Sequence, residues 1–311
     1  METLSLAVDL GGTKVEAALV ADDGTIVAQS RHRAPTGPSA GADIVDAAVR
    51  EVVEAALAAA ASGASIAAVG IGSAGPIDRH AGTVSPLNLP LDGFPLVDSV
   101  RAALRDDVPV RLALDGTCIA LAEARFGAAK DTADSVSMVV STGVGGGIIL
   151  DGRSVQGGSG NAGHVGQLRL SSRAPRGGAR DGTLEEIASG PASVAWARDQ
   201  GWAGTSGEDL ARDAAAGHPV ARAAIERSAE AVGQAVAGML ALLDIPRFVI
   251  GGGFSFVAPD YVALVEAAAH AAAVLPRGHE VRVLRAGLGG DAPLIGAACL
   301  AQDARAAGPR D

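Results

Sequence analysis

Two stretches of the chain repeat one pattern of apolar and polar positions. Along Leu4–Val27 (LSLAVDLGGTKVEAALVADDGTIV) an apolar strand, a Gly-Gly-Thr turn, a second strand, an Asp-Asp-Gly turn and a third strand follow one another. Along Ser137–Val155 (SMVVSTGVGGGIILDGRSV) the order recurs: strand, Gly-rich turn after Ser and Thr, strand, Leu-Asp-Gly turn, short strand. Elsewhere the period changes to that of helices. Asp43–Leu57 sets Ile44, Val45, Ala48, Val49, Val52, Val53, Ala56 and Leu57 on one stripe, which predicts an amphipathic helix. A buried strand is expected over Ser65–Gly72, ending in the turn Ser73-Ala74-Gly75-Pro76, and another over Pro109–Leu114 before a helix at Thr117–Phe126. In the second half, Pro219–Leu243 predicts a long helix with Ile225, Val232, Val236, Met239 and Leu240 along one side. It stops at Asp244-Ile245-Pro246, because proline cannot continue the hydrogen-bond ladder. Arg247–Ile250 reads as a strand ending in Gly251-Gly252-Gly253, and Tyr261–Val274 as a helix. Hairpins followed by alternating helices and strands predict α/β layers. The stretch Ser171–Gly182, rich in Arg and Gly, reads as a loop, and the last eight residues as frayed.

The glycine clusters carry the candidate chemistry. Glycine at a hairpin turn allows positive φ and close approach of backbone to another molecule, and adjacent N–H groups there form a concave anion site. Asp9-Leu10-Gly11-Gly12-Thr13-Lys14 offers such N–H groups, a hydroxyl and an ammonium to phosphate oxygens. Asp9 is suited to orient a hydrated Mg²⁺, an ion that prefers hard oxygen ligands. Thr142-Gly143-Val144-Gly145-Gly146-Gly147 offers a second phosphate cradle, and Gly251-Gly252-Gly253 leaves bare backbone for an adenine or a ribose. Each cluster alone is equally a plain turn; two related hairpins, each opening one half, suggest a duplicated fold with a nucleotide between the halves. Asp115, between a strand and a helix, reads either as an N-cap carboxylate or as a base accepting the proton of an attacking hydroxyl.

Composition narrows the class. The 311 residues suffice for one large domain or two ordinary ones, and 48% hydrophobic with 19% charged residues describes a globular chain. A formal net charge of −10 argues against a nucleic-acid partner, which would need a basic face to displace counterions. The two cysteines, Cys118 and Cys299, fit neither a disulfide framework nor a zinc pair at ligand spacing, so a reducing compartment is expected. No leader pattern opens the chain and no apolar run reaches the roughly 18 residues a membrane span needs, which predicts a soluble, cytoplasmic protein without a membrane partner.

The motifs occur in a specific order: D-x-G-G-T-K, G-x-x-G-P, x-D-x-x-x-x-x-L-A-E, T-G-x-G-G-G, A-G-x-x-G, L-E-x-x-A-S-G and G-G-G. That order, running from about Leu6 to Ala301 and closing on LGGDAPLIGAACLA at Leu288–Ala301, resembles the ROK family. The family comprises sugar kinases and sugar-responsive repressors. The resemblance implies a two-lobed, actin-like (ribonuclease H-like, hexokinase-like) ATPase fold: a duplicated mixed sheet with helices and a ligand cleft between lobes. Residues 1–115 with 290–311 would form the small lobe and 116–289 the large one. ATP and Mg²⁺ are the implied cofactors, and a homodimer the implied assembly. Asp9, Gly11, Gly12, Thr13 and Lys14 match the first phosphate motif, Thr142, Gly143, Gly145 and Gly146 the second, and Gly251, Gly252 and Gly253 the adenosine motif. Asp115 matches the catalytic base and Glu185 a sugar-contacting glutamate, while Gly75 and Asn88 fall at or beside the substrate pocket.

The departures from the family pattern cluster on the substrate side. The family's Asn-Asp-Ala-Asn is Leu114-Asp115-Gly116-Thr117 here, and leucine cannot bond a sugar hydroxyl. Its Glu-x-Gly-His is His164-Val165-Gly166-Gln167, so a carboxylate has become an imidazole and an imidazole an amide. Its cysteine-rich zinc loop aligns with 176–183, where no cysteine stands, which predicts that no zinc is bound there. A site built to bond a hydroxyl discriminates strongly against ligands lacking it. The expected activity is therefore phosphorylation of a sugar or sugar-like polyol, with Asp115 as base and ordinary glucose a poor acceptor. An amino or N-acyl sugar and a cyclitol are the alternatives. The rival reading is a non-catalytic sugar sensor. Against it stand the retained Asp115 and phosphate motifs, and a first motif at Asp9 that leaves no room ahead for the helix-turn-helix of family repressors. A polyphosphate-using kinase is weaker, because no basic track is evident.

Overall fold

The computed structural model describes residues 3–61, 64–170 and 182–307. The chain divides into two compact units, one comprising Met1–Phe126, Arg153–Gly163 and Gly290–Asp311, the other Gly127–Gly152 and His164–Gly289. The boundary read from the sequence at 115 thus falls inside the first unit.

In the first unit β1 (Thr3–Leu10) and β2 (Lys14–Ala21) form an antiparallel hairpin about the Gly-Gly-Thr turn. The third strand, expected at Thr25–Val27, is instead β3 (His32–Pro35), and only a single bridge pairs Ile26 with Val20. Ser30 accounts for the displacement. Its hydroxyl accepts from the Leu19 N–H at 3.0 Å and donates to Val27 O at 2.7 Å, so 27–30 closes on itself before the chain can pair again. Helix α1 (Ala42–Ala58) buries Val45, Ala48, Val49, Val52, Val53 and Ala56. Ile44, assigned to that stripe from the sequence, is 57% exposed: the buried set follows i, i+3, i+4 from Val45, which leaves Ile44 at its margin. Strands β4 (Ser65–Ser73) and β5 (Val110–Leu114), with the short helix α2 (Leu96–Ala102) between them, complete the sheet in the order β3-β2-β1-β4-β5. β1, β4 and β5 run parallel. Helix α3 (Asp115–Arg125) starts two residues before the expected position. The closing helix (Ala292–Ala307) lies on Gly70 of β4, where any Cβ would collide with Ala297 O; its own Gly296 makes the same close approach to Cys118 O on α3.

The second unit repeats the plan. β6 (Ser135–Val140) and β7 (Val144–Leu150) form an antiparallel hairpin, and a two-residue strand follows at Arg153–Ser154. Four helices come next: α4 (Leu184–Ala188), α5 (Gly190–Asp199), α6 (Gly207–Ala215) and α7 (Pro219–Leu243). β8 (Arg247–Gly251), α8 (Tyr261–Ala272) and β9 (Arg282–Arg285) complete the unit, with β6, β8 and β9 parallel. All five apolar residues expected along α7 are buried. α7 stops at Asp244, which takes the left-handed conformation at φ 55°. α8 ends two residues short of the expectation, and Val274 beyond it is 96% exposed. Each unit has its own apolar core, one around Leu6, Leu19, Val49 and Ile71, the other around Met138, Val232, Leu240 and Phe248. Among the described residues no helix is long and apolar enough to cross a membrane. The expected loop, except Gly182, and residues 308–311 lie outside the described residues.

Candidate nucleotide and acceptor sites

In the first unit the turn between β1 and β2 is closed by the Gly11 N–H donating to Lys14 O at 3.0 Å. Asn88 packs onto Gly12 so closely that a Cβ there would strike its amide, so any larger residue would displace the Asn88 side chain. The same corner is stitched by two further bonds, Ala74 N–H to Leu10 O at 3.0 Å and Leu87 N–H to Gly75 O at 3.2 Å. Gly12, Gly75 and Asn88, far apart in sequence, therefore meet at one place. Thr13 is exposed, and its carbonyl takes N–H bonds from Thr36 and Gly37 at 3.0 and 3.3 Å.

Asp9 is the penultimate residue of β1 beside this turn, 8% exposed, and its Oδ1 is buried without a hydrogen-bond partner. Burial, followed by the negative charges of Asp115 and Glu16, pushes its carboxyl up to about 7, against the opposing fields of Lys14 and Arg31. Gly72 makes room for it: a Cβ there would lie 3.1 Å from Cys118 Sγ and 3.4 Å from Asp9 Oδ1. The Cys118 thiol is pushed well up by burial and by the charges of Asp9 and Asp115, so it is inert. Asp115 is not the N-cap of α3. That position belongs to Leu114, which makes no side-chain cap bond, while Asp115 opens the helix and its Oδ1 accepts the Gly116 N–H at 2.7 Å. Leu114 itself is 3% exposed within the apolar core, so its side chain offers a ligand no surface.

The sequence reading missed the residues that hold Lys14. Its Nζ lies 2.5 Å from Glu16 Oε2, and Glu16 Oε1 also takes bonds from Arg33 Nε at 2.8 Å and Arg31 Nε at 3.3 Å. A charged residue inside the apolar run of β2 was the available signal.

In the second unit, the hairpin turn Ser141-Thr142-Gly143 is gripped at both ends by the L-E-x-x-A-S-G segment. Glu185 Oε2 accepts the Val144 N–H at 3.0 Å, and the Gly190 N–H donates to Ser141 O at 2.8 Å. Gly143 is small because a Cβ would sit 2.7 Å from Glu185 Oε2. Thr183 caps α4 and Ser189 caps α5, so the segment's spacing is that of two capped helices reaching one turn. Gly145 and Gly146, assigned to the phosphate cradle, lie instead within β7 opposite Val139 and Met138. His164 precedes the short 3₁₀ turn Val165–Gln167, where Gly166 approaches Val144 O too closely for any side chain; His164 is half-buried and Gln167 exposed. The His164–Gln167 turn and Glu185 therefore both converge on Val144.

Gly251 ends β8. Gly252 takes φ 90°, and a Cβ there would lie 2.5 Å from Val140 O. Gly253 lies beside Ser141, its missing Cβ 3.6 Å from that hydroxyl. Next to this junction opens a cavity of about 580 Å³ lined by Thr142 and Gly253 together with Val194, Ser206, Phe254 and Phe256, among others. The volume suits a nucleoside, and the mixture of apolar wall with a few hydroxyls, backbone groups and the charged side chains of Arg198 and Glu208 is that of a small-molecule site. The 176–181 part of the segment aligned with a zinc loop lies outside the described residues, and among those described no group of three or more His, Cys, Asp or Glu side chains is arranged to hold a metal ion.

Known proteins resemble this chain in sequence and in fold. The ROK family model matches residues 5–304. N-acetylmannosamine kinase of Citrobacter koseri is 36% identical over 300 residues, covering 96% of this chain and 98% of that protein. The crystal structure of a ROK hexokinase from Thermus thermophilus superposes with a TM-score of 0.83 at 32% identity, covering 96% of this chain and 98% of that one. A ROK family glucokinase from Streptomyces griseus, crystallised with glucose and AMPPNP, gives 0.78 at 32% identity, covering 97% and 100%. With matches that span nearly its whole length in sequence and in structure, the chain belongs to the ROK family and has the α/β, actin-like ATPase fold of the family's hexokinases.

Proposed function

We propose that this protein transfers the γ-phosphoryl group of ATP to a hydroxyl of a sugar, and that an N-acylated amino sugar is its acceptor. The chain is a phosphotransferase with an alcohol group as acceptor, as its kinase relatives are. The observation that carries the reading is the junction in the second unit. There the Thr142 turn, the Gly251–Gly253 strand exit and a cavity of nucleoside size adjoin one another. The acceptor class rests on two supports. The curated relatives are named for N-acetylmannosamine, and the substrate-side positions His164 and Gln167 depart from the family's Glu-x-Gly-His pattern.

In this reading the N–H groups of the Gly11–Thr13 and Thr142–Gly143 turns hold phosphate oxygens, and Lys14 supplies positive charge to them. Asp115, half-buried at the start of α3 and oriented by its bond from the Gly116 N–H, takes the proton of the attacking hydroxyl. The buried, unpartnered oxygen of Asp9 suits a hydrated cation, and a Mg²⁺ held there through water would neutralise charge on the nucleotide's phosphates. Glu185 and Asn88 touch the two phosphate turns, so in this reading acceptor contact and nucleotide contact share residues.

The test is ADP release measured over a panel of N-acetylmannosamine, N-acetylglucosamine, mannose, glucose and cyclitols, with Asp115→Asn as control. Turnover highest on an N-acyl amino sugar and lost in the variant is expected. Glucose as the best acceptor would sink the substrate assignment. No Asp115-dependent turnover on any acceptor would leave the sensor reading in its place.

A further inference from the structure

The cavity beside Thr142 and Gly253 has an unusual wall. Aromatic residues make up 3% of the chain, yet Phe256 stands 58% exposed on this cavity's lining. Its ring is held in place. The Arg285 guanidinium carbon lies 4.7 Å from the ring centroid, and that guanidinium is tethered in turn, Nη1 donating to Ser255 O at 3.2 Å and Nη2 to Pro259 O at 3.3 Å. Both acceptors belong to the segment that carries Phe256, so strand β9 clamps the ring through its last residue. The segment is also pinned from within: Ser255 Oγ donates to Gly252 O at 2.7 Å, and Phe254 packs edge-on against buried Tyr261 at 6.1 Å.

A solvent-exposed phenylalanine contributes little to the fold, and an exposed cation–π pair only about 0.5–1 kcal/mol. Holding such a ring rigidly against a nucleoside-sized cavity makes sense if a flat ligand covers it. We propose that Phe256 is the platform on which the nucleobase stacks, that Arg285 is the positioning residue that holds the ring, and that the pair gives this kinase its preference for purine over pyrimidine nucleotides. The inference rests on the ATP reading above and adds the residue that selects the base. A purine offers a larger π-face than a pyrimidine and gains more from stacking. The same cavity offers the edges of a base the hydroxyls of Thr142, Thr205 and Ser206, the backbone of Gly253 and the charged side chains of Arg198 and Glu208.

Calorimetric titration of the whole chain with ADP and with CDP tests it without any acceptor. Phe256→Ala should weaken ADP binding by about fivefold to tenfold, the range expected for one aromatic stack, and narrow the ADP-to-CDP ratio. Phe256→Trp should restore both. Arg285→Met should give a smaller loss with the same narrowing, because the ring remains but is no longer clamped. Native ADP affinity and an unchanged ratio in Phe256→Ala would overturn the inference. So would equal loss of ADP and CDP that Phe256→Trp fails to rescue, since that describes a damaged wall. No binding of ADP by the native chain would instead overturn the nucleotide reading on which the inference rests.

Discussion

Lys14 and Glu16, two residues apart on one face of β2, form an ion pair with Nζ 2.5 Å from Oε2, and the glutamate is 4% exposed. The Lys14 ammonium is therefore aimed by a buried carboxylate, which Arg31 and Arg33 also approach.

Glu16→Gln should release that aim. Burial raises the Glu16 carboxyl, but the hydrogen bonds from Lys14 and Arg33 and the fields of Lys14 and Arg31 outweigh it and hold the group below its usual 4.5. A depressed carboxylate stabilises the fold above its unfolded value, and the contribution is lost as pH falls through the folded one. The variant should lose about 1–3 kcal/mol at neutral pH, because the partners are partly exposed and screened. Its acid unfolding should also be flatter below about pH 4.5 than that of the native chain. Nucleotide KM should rise about tenfold, with kcat less affected. Urea titrations at several pH values and steady-state kinetics read both effects. An unchanged nucleotide KM would reduce Glu16 to a structural ion pair.

Asp9 should show the opposite sign. Its carboxyl is raised to about 7, so between about pH 4 and 7 the folded chain keeps a proton that the unfolded chain has released. The stability this contributes is present below pH 3.8 and is lost as pH rises through about 7, at up to about 1.4 kcal/mol per pH unit. Asp9→Asn should therefore be more stable than the native chain at pH 8 and nearly equal to it at pH 4. Mg²⁺-dependent nucleotide binding needs the ionised group, so affinity should fall up to about tenfold per unit below pH 7 and level off above it. Equal Mg²⁺-dependent affinity at pH 6 and pH 8 would contradict the assignment of Asp9.

Asp115→Asn keeps the shape and the bond from Gly116, but loses the carboxylate proposed as the base. Turnover should drop by about 10²- to 10⁴-fold while ADP affinity changes by less than about threefold. A parallel loss of affinity would mean that Asp115 holds the nucleotide rather than the proton.

Gly252→Ala combines strain at φ 90° with a close approach to Val140 O. A destabilisation of about 2–4 kcal/mol is expected, with ADP binding weakened, since the strand exit and the cavity share Gly253. Gly145→Ala is the control. Its Cβ would meet nothing within 4 Å, so both properties should stay near native. Chemical denaturation and calorimetry on the two variants decide this.

Much of the molecule was legible along the chain because its signals are local. The helical period from Pro219 to Leu243 reproduces α7 residue for residue, and the glycine-turn hairpins appear as read. These depend on contacts within a few residues: side-chain spacing, backbone sterics at glycine, and the missing donor at Pro246. The third strand was misplaced because one hydroxyl, that of Ser30, reaches back eleven residues to Leu19, and no period records such a bond. The start of α3 was placed late because Asp115 bonds its neighbour's N–H instead of capping the helix.

What tertiary structure alone decided is who stands beside whom. Asp9 carries a carboxyl raised to about 7 only because β1 places it against Gly72, Cys118 and Asp115, since desolvation and charge repulsion depend on three-dimensional distance. Leu114 was read from the sequence as a substituted pocket residue, and the pleat of β5 turns it into the core. The cavity wall is assembled from segments around 141, 194, 206 and 254, and the Phe256–Arg285 pair spans 29 positions of chain. The sequence by itself thus determined the family, the elements and the glycine turns. The charge state of Asp9 and the lining of the cavity beside Thr142 and Gly253 came only with folding, because each is set by the low-dielectric or steric company of residues remote in sequence.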